Sequence, residues 1–188
     1  MEQLVRAALD RKADKAAVIE VEKIRFRLEF RKLCETNSCG NYNKCWMCPP
    51  DVGDIDTLIK RVQGWRQALV FQTIGQLKNS YDYRGMMAAA KVHGEVTMGL
   101  AEDLRPVLDR QMVLGAGVCP VCAKCAKREE QPCRFPDSAI PSLEAHGIAV
   151  SELAGICGMN YINGKNTVTY FSAIFFGRYN NDLTGSAS

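Results

Sequence analysis

Three cysteines at intervals of three residues, Cys119, Cys122 and Cys125, limit what this chain can fold around. Cys133 follows after seven further residues. Three thiols at this spacing can point inward from one turn of chain, as in the bacterial ferredoxin run, where thiolates hold an iron–sulfur cluster. A structural zinc site commonly needs a C-x2-C pair and takes its other ligands from elsewhere. The spacing therefore favours a [4Fe–4S] cluster over zinc, with Cys133 reaching back as the fourth ligand.

A second, less regular group of cysteines lies earlier in the chain and is followed by Pro49 and Pro50. Four cysteines within fifteen residues are hard to explain by core packing, so either a second cluster or a zinc ion is expected here. The C-x2-C pair within this group keeps zinc open as an alternative. The predicted ligands are Cys34, Cys39, Cys45 and Cys48.

The ninth cysteine, Cys157, belongs to neither group. We interpret it as a small buried hydrophobic residue, which is a common role for a free cysteine. A distant ligand to the first group is the alternative.

Composition sets the class of protein expected. With 188 residues and 47% hydrophobic residues, the chain is long enough for one domain with its own core. A net charge of +3 is too small to predict nucleic-acid binding. The sequence offers no signal peptide pattern and no apolar run of about 18 residues that could span a membrane. A cytoplasmic location is therefore expected, where nine cysteines indicate metal binding and not disulfides.

Hydrophobic periodicity predicts an α/β fold. We expect a single domain over residues 1–178, with a mixed sheet of about four to five strands flanked by helices, and a flexible tail over residues 179–188. The main predicted helices cover 55–62, after an Asp54 cap, and 86–104. The predicted strands are 16–21, 24–31 (alternating apolar and basic residues), 68–74, 112–118 and 167–176.

Other candidate residues are weaker. His93 lies on the apolar stripe of the long predicted helix and is interpreted as a core histidine. His146 is expected at the end of a short helix. Four basic residues beside the second cysteine group could raise a cluster's potential or bind an acidic partner, although a solvated loop explains them equally well. They are Lys124, Lys127, Arg128 and Arg134.

Two motifs resemble the signatures of a known family. The first is the pattern Cys39-x2-Tyr42-x3-Trp46-x-Cys48-Pro49-Pro50, and the second is the C-x2-C-x2-C run followed by Cys133-Arg134-Phe135-Pro136 and the segment 141–148. From about residue 16 to 176 the chain resembles a bacterial and archaeal family described as predicted metal-binding proteins of unknown function. The resemblance implies metal or iron–sulfur binding but no particular reaction. It also implies three dependable cysteines in the first signature, matching Cys34, Cys39 and Cys48, with Cys45 as an addition.

These observations lead to one principal hypothesis and two alternatives. The principal hypothesis is a cytoplasmic protein with two [4Fe–4S] clusters that passes electrons to or from a redox partner protein or a small molecule, with no role in nucleic-acid or membrane binding. If Cys45 is not a ligand, one iron of the first cluster is open, and an enzyme of sulfur-transfer or Lewis-acid type becomes the alternative. The third hypothesis is a zinc-stapled interaction module without a redox role.

Overall fold

The computed structural model describes residues 1–177, and the tail predicted for residues 179–188 lies outside this range. Four strands form one open sheet in the order β1-β2-β4-β3, and all three strand pairings are antiparallel. The strands are β1 (Lys15–Glu20), β2 (Gln67–Gln76), β3 (Gln111–Leu114) and β4 (Thr167–Phe176). The helices are α1 (Glu2–Asp10), α2 (Glu29–Glu35), α3 (Ile55–Gln63), α4 (Tyr83–Leu104) and α5 (Val150–Ile156).

The predicted α/β class, with four to five strands and flanking helices, is confirmed, although the sheet, predicted to be mixed, is antiparallel in all three pairings. A parallel contact also occurs outside the named strands, as an isolated bridge between Gly115 and Ser142. The predicted Asp54 cap is also confirmed, whereas the helix predicted to begin at residue 86 begins at Tyr83, after a cap at Asp82. Asp54 caps α3 by accepting a hydrogen bond from the Thr57 N–H at 3.1 Å, and Asp82 caps α4 by accepting one from the Gly85 N–H at 2.9 Å.

Helices and loops cover both faces of the sheet, which explains the nearly continuous apolar sequence of β2. Ala68 and Val70 point into a core shared with α3 and α5, whereas Leu69 and Phe71 point into a second core shared with α1 and α4. All four side chains are fully buried. The sheet is therefore the middle layer of a three-layer domain.

The predicted strand over residues 24–31 is wrong. A single 3-10 turn at Val21–Lys23 takes the chain away from the sheet after β1, and the segment forms one isolated bridge, between Phe26 and Ile148. The chain then enters helix α2, and Leu28 is 51% exposed. Alternating apolar residues can form a strand only where a neighbouring strand edge is available. Here the chain leaves that edge before the alternation begins.

Two further elements are shorter than predicted. The strand expected over 112–118 ends at Leu114, after which Gly115 donates a hydrogen bond to the Pro141 carbonyl at 2.8 Å. The helix expected around residues 142–146 is one 3-10 turn, Glu144–His146. It stops at Gly147, whose φ of 69° is in the left-handed region that glycine tolerates.

Within residues 1–177, no helix combines the length and the apolar character needed to cross a membrane.

Candidate metal centre

The first cysteine loop (residues 34–48) begins with Cys34 in the last turn of α2, runs to the segment before α3, and is held by local hydrogen bonds. The Tyr42 N–H donates to Asn37 Oδ1 at 3.0 Å, and the Asn43 N–H donates to the Pro49 carbonyl at 2.9 Å. Asn37 and Asn43 both adopt positive φ, at 54°, which asparagine tolerates better than most residues. These turns fold the loop back on itself.

The second cysteine loop (residues 119–133) follows the edge strand β3. It contains a 3-10 turn at Ala126–Glu129. The Ile140 N–H points at Cys119 Sγ, with 3.4 Å between nitrogen and sulfur. A backbone donor to sulfur stabilises a thiolate, and therefore favours the form of cysteine that binds metals.

The two loops pack directly on each other. The Trp46 Nε1–H donates to the Gln131 carbonyl at 2.9 Å. Lys127 Nζ pairs with Asp51 Oδ1 at 2.6 Å, and these two side chains are only 19% and 14% exposed. The same ammonium lies 4.3 Å from the centroid of the Trp46 ring, within range of a cation–π interaction. These contacts join segments about 80 residues apart in the chain.

An apolar cavity lies between the loops, and five cysteines line it. We call it the thiol cavity; its volume is about 20 Å³. The walls between the thiols are apolar, formed by Trp46, Met47, Val121, Phe135 and Ala139. The cysteines are Cys45, Cys119, Cys122, Cys125 and Cys133.

The grouping of the thiols in space therefore differs from their grouping in sequence. All four cysteines of the second loop line the thiol cavity, as their spacing suggests. Cys45, which sequence spacing assigns to the first loop, also lines it and is only 1% exposed. The other first-loop cysteines lie outside the residues that line the cavity: Cys34 and Cys48 are partly buried, and Cys39 is exposed.

The thiols influence one another electrostatically. The pKa of Cys45 is lowered to about 6, first by hydrogen bonding with the neighbouring Cys48 thiol, and the pKa of Cys48 is raised by the same interaction and by burial. Burial raises the pKa of Cys119. Burial and the charge of Cys39 raise that of Cys34. Cys45 thus links the two loops, because it interacts with Cys48 on one side and with the second-loop thiols on the other.

The cysteines are suitable ligands for a metal centre that prefers sulfur, but the thiol cavity is too small to hold one in its present shape. Among residues 1–177, no three His, Cys, Asp or Glu side chains converge on one ion position. A volume of about 20 Å³ is that of about one water-sized sphere, so side-chain rotation is needed before any centre can bind. Thiolate sulfur in an apolar surround is the ligand chemistry of zinc and of iron–sulfur clusters. The cysteines can therefore hold either.

The four basic residues in and beside the second loop all have polar partners, but only two carboxylates are among them. Lys124 pairs with Glu129 at 2.7 Å, and Arg134 with the same carboxylate at 3.6 Å. Lys127 pairs with Asp51, and Arg128 donates to Asn41 Oδ1 at 3.0 Å. Lys127 and Arg128 therefore connect the second loop to the segment 41–51, whereas the exposed Lys124 and Arg134 share one carboxylate, and part of the positive charge stays available to an acidic partner. Sequence spacing gave no sign of the Lys127–Asp51 pair.

Two residues with open interpretations have clear positions. Cys157 packs against the core shared with α3 and α5, and it does not line the thiol cavity. His93 is 2% exposed, and its ring nitrogens contact Thr73 Oγ1 at 2.9 Å and Ser172 Oγ at 2.7 Å. His93 is therefore a satisfied core histidine, as its position on the helix stripe predicts.

Comparison with known families gives one match. A family model described as "Predicted metal-binding protein (DUF2284)" matches residues 17–176. Comparisons with curated proteins and with solved structures give no match.

Proposed function

Since the chain belongs to this family of predicted metal-binding proteins, we propose that it holds two [4Fe–4S] clusters on its two cysteine loops and transfers electrons to or from a partner enzyme. The observation that carries the proposal is the meeting of the loops, with five thiols lining one apolar cavity and Cys48 interacting with Cys45 at its side. Bound clusters would supply one-electron redox chemistry.

The residues around the thiols have roles that follow from their contacts. The apolar walls exclude water, which influences the potential of a bound centre. Trp46 and Lys127 hold the two loops in register through the Gln131 carbonyl and Asp51. The thiols give up their protons when they bind metal, so the lowered pKa of Cys45 favours binding near neutral pH.

A second candidate function is supported by the position of Cys45. Because Cys45 lines the cavity of the second loop, the first loop has Cys34, Cys39 and Cys48 as its own thiols. Three thiolates leave one iron of a cubane open to a small ligand. Cys39 is exposed, so this site is accessible from solvent. Sulfur-transfer or Lewis-acid chemistry on a small molecule would follow.

The first experiment is anaerobic purification with measurement of iron, acid-labile sulfide and zinc per chain. We expect a brown protein that contains iron and sulfide. A colourless, zinc-loaded protein without sulfide would contradict both iron–sulfur functions and would support the zinc-stapled interaction module.

The second experiment separates the two iron–sulfur functions by electron paramagnetic resonance of the reduced Cys45→Ala variant. If Cys45 completes the first cluster, as the electron-transfer function requires, the signal of that cluster changes. An unchanged first-loop signal would favour the open-iron enzyme. Cys157→Ala is the matched control, because it removes a thiol that packs in the core outside the cavity, and its spectrum should equal that of the unmodified protein.

A further inference from the structure

A large cleft adjoins the thiol cavity. It has a volume of about 820 Å³ and lies among α3, the end of α4, β3 and the segment 136–141. Three residues, Met47, Val121 and Ala139, line both the cleft and the thiol cavity. A molecule in the cleft would therefore lie beside the proposed metal centre.

His146 provides an unused hydrogen-bond acceptor on the cleft wall. The residue is only 1% exposed, and its Nδ1 lies 3.1 Å from the Ser142 carbonyl. Because a carbonyl only accepts, the neutral ring carries its proton on Nδ1 and leaves a lone pair on Nε2. Within the part of the chain that the structure describes, Nε2 has no hydrogen-bond partner.

Two more buried acceptors line the same cleft. Asp51 Oδ2 and Gln111 Oε1 have no partner among residues 1–177. Buried acceptors of this kind are rare in native proteins and call for a donor from water or a ligand. Together with His146 Nε2, these two buried atoms give the cleft residues three acceptors, which suits a ligand that donates hydrogen bonds.

Arginine side chains in the cleft indicate that the ligand also carries negative charge. Arg61, Arg105 and Arg110 line the cleft, and none of them forms an ion pair with another described residue. Burial, and to a smaller degree the charges of Arg61 and Arg31, lower the pKa of His146 to about 4. At neutral pH a cation and a neutral acceptor thus lie near each other.

Carboxylates limit the kind of anion that fits. Glu102, Asp109 and Asp137 line the cleft, as does Asp51, whose charge is paired with Lys127, so a polyanion would be repelled. A small anion with little charge, bound at Arg61, avoids most of this repulsion.

We infer that this cleft binds a small hydroxylated anion, whose carboxylate or phosphate group is bound by Arg61 and whose hydroxyl group donates a hydrogen bond to His146 Nε2. This ligand site goes beyond electron transfer and does not depend on which metal the thiols hold. With a metal centre in place, the site would present the ligand beside it.

The test uses the full-length protein with nitrogen-15 in its histidines. The chain has only two histidines, so the spectrum is simple, and His93, with both nitrogens already hydrogen-bonded, is an internal reference. The probes are glycerate, a hydroxycarboxylate; glycerol 3-phosphate, a hydroxylated phosphate; and propionate, which lacks hydroxyl groups. Calorimetry with the same probes provides a second readout.

We expect glycerate or glycerol 3-phosphate to shift the Nε2 resonance of His146 saturably while His93 stays constant, and the stronger of the two identifies the anionic group. Propionate should bind at least about tenfold more weakly, because His146 Nε2 then lacks its donor. Absence of saturable binding by both hydroxylated probes would overturn the inference, and so would equal binding of propionate.

A matched pair of variants tests the role of Arg61. Arg61→Gln should weaken binding by about tenfold or more. Lys60→Gln removes the same charge from the adjacent position of α3, at a side chain that does not line the cleft, and should leave binding within about twofold. Equal affinities in the two variants would contradict the inference. Metal and sulfide analysis of the same samples tests the proposed iron–sulfur function independently of anion binding. A negative result for one proposal therefore leaves the other standing.

Discussion

The two cysteine loops differ in how they present their thiols. The first loop is held by its own turns around Asn37 and Asn43 and leaves Cys39 exposed to solvent. The four cysteines of the second loop line an apolar cavity, and Cys45 of the first loop lines it too. An enclosed thiol set suits a permanent, protected centre, whereas an exposed one suits exchange with solvent or a small ligand. The pair therefore combines a proposed closed site, at the second loop, with a proposed accessible one, at the first.

The largest expected effect comes from removing one thiol from each loop. Cys122→Ser should abolish metal binding at the closed site and lower the free energy of unfolding by several kcal/mol, because binding to thiolates is coupled to folding. Cys39→Ser should reduce metal binding at the first loop with a smaller loss of stability, since its side chain is exposed. Metal analysis and urea unfolding measure both effects. Equal losses in the two variants would remove the distinction between the loops.

The contact between the loops should depend on the buried ion pair. Lys127→Met leaves Asp51 without its cation and should cost about 2–3 kcal/mol of unfolding free energy. Lys124→Met is the control, because the Lys124–Glu129 pair is 61% and 49% exposed and should contribute less than about 1 kcal/mol. If urea unfolding gives the same value for both variants, the buried pair does not hold the loops together.

Acidification should destabilise the protein through its two buried histidines. Burial is the first cause that lowers the pKa of His93 and of His146 to about 4, below the value of about 6.5 in an unfolded chain. The unfolded state therefore binds more protons as the pH falls below 6.5. Each histidine should cost about 2 kcal/mol of stability between pH 7 and pH 5.

Urea unfolding across this pH range measures the effect. The pKa values of both histidines are lowered to about 4, so His93→Gln should remove about half of the pH dependence. A stability that stays constant from pH 7 to pH 5 would show that neither histidine is buried in its neutral form.

The weakest effect is expected from a variant that alters the packing of α4 against the second loop and leaves every cysteine in place. A Cβ at Gly94 would lie 2.8 Å from Pro120 Cβ, so Gly94→Ala should displace the loop and cost about 1 kcal/mol. Gly155→Ala, in α5, meets no atom within 4 Å and should stabilise the protein by about 0.5–1 kcal/mol through helix propensity. Thermal unfolding shows whether each variant is more or less stable than the unmodified protein. Stabilisation by both variants would mean that Pro120 does not pack closely against α4.

Much of the fold could be predicted because its signals are local. The apolar run of β2 and the Asp54 cap of α3 each depend on neighbouring residues, and the structure contains both. The alternation over 24–31 is equally local but misleads, because a strand also needs a free partner edge, and the 3-10 turn at Val21–Lys23 takes the chain away from one. Elements whose partners lie far along the chain are therefore the ones that local patterns miss.

The candidate site divides in the same way. Sequence spacing singled out the eight cysteines and predicted that they bind a metal or cluster, and their role as ligands stays a prediction. Spacing assigned Cys45 to the first loop, because Cys48 is three residues away. The structure also brings Cys45 to the second loop, through contacts such as Trp46 to Gln131. Trp46 had appeared only as part of a motif, with no sign of its partner.

The types of donor and the apolar segments follow from the sequence, because both are properties of residue type and short-range spacing. Three findings depend on the folded chain: five cysteines line one cavity, Lys127 pairs with Asp51, and His146 and Arg61 line the same cleft. The physical reason is that covalent spacing limits only nearby residues. Neighbours from distant segments are selected by how the two cores pack on the faces of the sheet.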